Sequence, residues 1–72
     1  MEKEIYINIG KNIKKYRKKK KYSLEKFSQI TNIQIEKLKE YETKGVNENT
    51  TFYELNIICI TLEIKLIELL NK

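Results

Sequence analysis

A chain of 72 residues makes one domain, residues 1–72, close to the size at which a single apolar core only just suffices for folding. Its composition excludes much: there is no histidine or aspartate for acid–base or metal chemistry, and one cysteine, Cys59, permits no internal disulfide. The net charge of +5 is unevenly placed, with ten Lys/Arg against three Glu in residues 1–26 and five Lys against seven Glu in residues 27–72.

A first helix is predicted from about Ile5 to Lys19, because Ile5, Ile9, Ile13 and Tyr16 recur at helical spacing and share one face. Gly10 inside it costs about 1 kcal/mol relative to alanine and so marks a close approach of another helix. The basic block KKYRKKKK, Lys14 to Lys21, ends this helix. Part of the block suits the negative end of the helix dipole. A run this dense also favours a polyanion, either nucleic acid or an anionic membrane surface.

Ser23 is a natural N-cap for a second helix, with Glu25 in its first turn and Phe27 and either Ile30 or Thr31 facing inward. The turn at Thr31-Asn32-Ile33 uses asparagine, which tolerates the left-handed conformation. A third helix follows from Gln34 to Thr43 with Leu38 and Tyr41 inward, then a polar loop from Lys44 to Asn49. Two short helices set at an angle by so tight a turn are the pattern of the DNA-reading helix-turn-helix, residues 23–42, whose second helix enters the major groove.

Thr51 and Glu54 match a capping box, so a fourth helix starts here. Phe52, Leu55, Cys59, Leu62, Leu66 and Leu69 then alternate at spacings of three and four, and Ile57, Ile58, Ile60, Ile64, Ile67 and Leu70 make residues 51–71 apolar nearly all round. A helix apolar on every side needs more cover than one small domain offers. This predicts a homodimer about a two-fold axis, with Ile64, Leu66, Ile67, Leu69 and Leu70 at the contact. The longest apolar run, Ile57 to Ile60, is far too short to span a bilayer. With an acidic, polar N-terminus unlike a signal peptide and a lone thiol in an apolar stretch, the expectation is a cytoplasmic protein with no membrane, metal or cofactor. It is not expected to be an enzyme, since no base is positioned to activate a hydroxyl.

In this order the motifs resemble the phage-repressor and Cro type of helix-turn-helix domain, the xenobiotic-response-element family. Ile9-Gly10-x-x-Ile13-x-x-Tyr16-Arg17 is similar to the family's first-helix signature, Ser23 to Glu42 to its helix-turn-helix, and Leu62 to Leu70 to its short closing helix. The resemblance implies an all-α, compact four- to five-helix bundle of the lambda-repressor-like type, dimeric on DNA, with helix three in the major groove. It implies an ion pair between Arg17 and Glu42 that locks helix three to helix one. Gln34, Ile35, Glu36, Lys37 and Glu40 would read bases, and Ser23, Lys39, Lys44, Lys18, Lys19, Lys20 and Lys21 would hold phosphates of double-stranded DNA.

The chain departs from the family pattern at Leu24, where a phosphate-touching glutamine is usual, and in a longer loop after Glu42 with its glycine at Gly45. Glu63 and Lys65 replace the glycine and serine that end helix four and cap helix five, which leaves open one continuous helix or a bent pair. The expected function is a small sequence-specific transcriptional regulator, a repressor reading an inverted repeat. Segment 33–42, with two lysines and three glutamates, motivates the alternative of a module on the same fold that binds a protein partner.

Overall fold

The computed structural model describes residues 2–72, in which the apolar stripes wind into five helices: α1 Glu2–Lys19, α2 Leu24–Thr31, α3 Ile35–Lys44, α4 Phe52–Leu62 and α5 Leu66–Leu70. They form an all-α bundle with a Cα radius of gyration of 10.8 Å. Ile9 and Ile13 of α1 meet Phe27, Ile33, Leu38, Tyr41, Val46, Ile58, Cys59, Leu62 and Leu69 in one core. Ile5, although on the same stripe, is exposed at the edge of the bundle. Of the two candidates at the end of α2, Thr31 is buried and Ile30 exposed. Burial raises the pKa of the Cys59 thiol, with a smaller push from Glu68, so it packs as a small apolar group.

Helix α1 packs most extensively against α3. Gly10 makes this possible: a Cβ there would sit 1.9 Å from the Tyr41 carbonyl oxygen. The displaced glycine after α3 has an equally specific task. Gly45 turns the chain at φ +101° while passing so close to α1 that a Cβ would lie 2.8 Å from the Tyr6 oxygen. The next residue, Val46, donates its N–H to that same oxygen at 3.2 Å and buries its side chain.

The question of one or two C-terminal helices is settled at Glu63, which takes the left-handed conformation (φ 57°, ψ 44°) and ends α4. Its N–H and that of Ile64 close the last turn on Ile60 and Cys59. The chain restarts as α5 with the Lys65 N–H donating to the Glu68 carboxylate at 2.8 Å. No glycine is needed, but a non-glycine residue at this φ costs about 1–2 kcal/mol. Glu63→Gly is therefore expected to stabilise the protein by about 1 kcal/mol, a rise of about 4–8 °C in Tm by thermal unfolding. An unchanged or lower Tm would show that the exposed Lys20–Glu63 pair outweighs the backbone strain.

Two asparagines hold α5 in place. Asn12 is buried and donates to the Leu69 carbonyl at 2.7 Å and to that of Asn71, which Asn8, one turn earlier, also reaches. They satisfy carbonyls that the end of a short helix leaves without partners.

Candidate nucleic-acid interface

The α2–α3 corner is built from short polar side chains. Ser23 caps α2, its Oγ accepting the Lys26 N–H at 3.0 Å. At the other end Asn32 takes φ 60° and donates its N–H to the Ser28 carbonyl at 2.8 Å. The Thr31 hydroxyl donates to Phe27 O at 2.8 Å and accepts the Ile33 N–H, while Ser28 Oγ donates to Ile33 O. Among the described residues no buried side-chain polar atom lacks a partner, and Ile33 plugs the core. The roles of Ser28 and Thr31 were not legible beforehand, because serine and threonine inside a helix have several local alternatives.

Arg17 and Glu42 come together as a fork: Nε donates to Oε2 at 2.7 Å and Nη2 to Oε1 at 3.0 Å. Nη1 donates to the Tyr22 carbonyl at 2.6 Å, so one guanidinium ties α1, the α1–α2 turn and α3. The side chains retain only 10% and 3% of their exposure. A bidentate pair this well covered fixes the direction of α3 as well as its distance from α1.

On α3, Gln34 is exposed and stands at the N-cap without capping through its side chain. Ile35 is half-buried, while Glu36, Lys39, Glu40, Thr43 and Lys44 line a shallow groove of about 270 Å³ on the outer surface of the helix. Lys44 falls in the last turn of α3, where the helix dipole favours it. Lys37, also expected to read bases, is exposed, and its Nζ is 2.6 Å from Glu54 Oε2 on α4. The outward face of α3 therefore alternates in sign, and Lys37 is matched by a carboxylate behind it.

Glu54 also accepts the Tyr41 hydroxyl at 2.7 Å, so the residue expected to close a capping box bridges α3 and α4 as well. The Thr51 half of that box is formed, its Oγ1 accepting the Glu54 N–H. Burial alone would push the Glu54 carboxyl up, but the hydrogen bonds from Lys37 and Tyr41 outweigh it and hold the pKa below 4.5. A carboxylate with a depressed folded-state pKa stabilises the fold above its unfolded value, and this is lost as pH falls through the folded one. Urea unfolding should show stability declining below about pH 4.5. Glu54→Gln should be less stable at pH 7 and show a shallower acid decline. A variant with the wild-type pH profile would mean that Glu54 is not the group titrating.

The lysines assigned to phosphates fall into three groups. Lys18, Lys19 and Lys39 are exposed, as is Lys44. Lys20 is paired with the exposed Glu63, which holds the Glu63 carboxyl below its ordinary value. Lys21 sits in the turn after α1 at φ 62°, exposed.

The expected dimer contact is altered. Leu69 is fully buried and cannot touch a partner, because the break at Glu63 turns α5 so that Leu69 enters the core of its own chain. Ile64 and Leu66 are half-buried against that core, and Ile67 and Leu70 are exposed. Phe52, Tyr53 and Ile60 on α4 are exposed to 67–70% and belong to the apolar surface. Among the described residues no helix is long and apolar enough to cross a membrane.

Comparison of the chain with known protein families, with characterised proteins and with solved structures returned no match.

Proposed function

We propose that this chain is a small sequence-specific DNA-binding regulator of transcription, a repressor of the phage-repressor and Cro type that acts as a homodimer. The observation that carries the reading is the α2–turn–α3 corner fixed to α1 by the buried Arg17–Glu42 fork, with the outer face of α3 left open. A helix presented in this way fits the major groove, where Gln34, Ile35, Glu36 and Glu40 meet base edges. Glutamate accepts from cytosine N4 and isoleucine packs on a thymine methyl group. Lys39 and Lys44 hold the flanking phosphates, and Ser23 lies at the start of α2, whose N–H groups favour an anion. Two copies would join through Ile67, Leu70 and the exposed face of α4, and half-sites about 34 Å apart, one turn of DNA, would suit a two-fold arrangement.

Lys44→Ala is expected to weaken binding to every duplex alike and to lower the slope of log K against log salt by about 0.9. Glu36→Ala should instead change base preference at one position of each half-site. Equal effects of both variants on all sequences would remove α3 from the groove. A second reading, a protein-interaction module on the same fold, is favoured by the alternating charge of α3 and by exposed Phe52, Tyr53 and Ile60. It requires that no duplex be preferred over another.

A further inference from the structure

The outer face of α1 carries a row of lysines that the reading above leaves largely unused. Lys11, Lys14, Lys15 and Lys18 stand at i, i+3, i+4 and i+7, all exposed, with Lys3 further along the same helix. Among the described residues none of these five is within ion-pair distance of a carboxylate, whereas Arg17, Lys20 and Lys37 each have one. Glu4 is the acidic residue that shares this face, near its N-terminal end.

The helix dipole favours cations only in the last turn, so it accounts for Lys18 but not for Lys11, Lys14 or Lys15. Like charges at these spacings repel and weaken the helix. The row therefore carries a folding penalty that a polyanion would relieve. Gly10 and Arg17 make the contacts to α3, and Lys11 and Lys18 each follow one of them, turned by about 100°, whereas Lys3 borders a groove shared with Glu40 and Lys44 of α3.

We propose that this face of α1 is a phosphate-tracking surface for duplex DNA, distinct from the reading face of α3 and indifferent to sequence. From Lys11 to Lys18 the helix rises about 10 Å, along which a duplex presents several phosphates. An anionic membrane is the poorer fit. An interfacial helix needs an apolar face to insert, and here Ile9 and Ile13 are buried in the core. The surface does not depend on α3 reading bases.

The test is fluorescence anisotropy of a random-sequence 20-base-pair duplex titrated with the full chain between about 50 and 200 mM salt. The variants are K11Q/K14Q/K15Q/K18Q and the matching four-arginine protein. Removing four charges is expected to lower the salt slope by about 3–4 and the low-salt affinity by about tenfold or more. The arginine protein should bind this duplex as the wild type does. The glutamine variant loses the Lys15–Tyr16 contact and the dipole's attraction for Lys18 along with the repulsions, so its Tm is measured beside its binding. The arginine protein, which keeps the charges, separates lost binding from lost folding.

An unchanged slope in the glutamine variant would overturn the proposal. So would equal losses in the glutamine and arginine proteins, or tighter binding of wild type to phosphatidylserine–phosphatidylcholine vesicles than to the duplex. Failure to find a preferred DNA sequence would count against α3 as a reader and leave the α1 surface standing.

Discussion

Arg17→Ala is expected to destabilise the protein by about 3–5 kcal/mol, because removing one member of a covered ion pair leaves the other charge buried alone. The guanidinium makes three hydrogen bonds, two to Glu42 and one to Tyr22 O, and all are lost together. A domain of this size has roughly 4–11 kcal/mol of stability in total, so the loss takes from about a quarter of it to all of it. Removing both charges tells the two contributions apart. Arg17→Met/Glu42→Leu should recover most of the lost stability in urea unfolding, since apolar replacements of similar size avoid the desolvation of an unpaired ion. It should bind DNA less specifically even so, because nothing then fixes the direction of α3. A single Arg17→Ala change costing under about 1 kcal/mol would place the pair in the class of exposed surface bridges.

Gly10→Ala sets two effects of opposite sign against each other. Helix propensity favours alanine by about 1 kcal/mol, and in an exposed helix the change would be stabilising. Here the new methyl would lie 1.9 Å from the Tyr41 carbonyl oxygen and 3.0 Å from the Gly45 Cα. Both neighbours are backbone, so no side chain can rotate away. Overpacking of ordinary side chains costs about 1–3 kcal/mol, and displacing α3 from α1 exceeds it. The net loss should be more than about 3 kcal/mol by urea unfolding, with the Arg17–Glu42 distance lengthened as α3 is pushed out. Increased stability would mean that the α1–α3 contact is looser than the structure places it.

These two residues illustrate what the chain discloses before its structure is known. The all-helical class was legible because apolar spacings of three and four run through most of it, and Ser23 and Thr51 are efficient helix starters in the positions where α2 and α4 begin. The helix break at Glu63 was not, since glutamate has no preference for a left-handed conformation and only the packing of Leu62 and Leu69 on either side imposes it. The same turn rotated Leu69 from the expected dimer contact into the core. At the candidate interface, the place of Lys37 near the front of α3 assigns it to base reading, and its side chain is half exposed. Its partner, Glu54, is brought close only by the docking of α4. The Asn8 and Asn12 clamp on the end of α5 is likewise a contact across more than fifty residues, and no local pattern announces it.

Selection of bound duplexes from a random pool, followed by anisotropy titration of the enriched sequence, bears most directly on the reading of α3. A dimeric regulator should enrich an inverted repeat with half-sites one turn apart, bound at least ~10³-fold more tightly than random DNA. Binding without any enriched sequence, steeply dependent on salt, would contradict it and leave only the lysines of α1 in contact with the duplex.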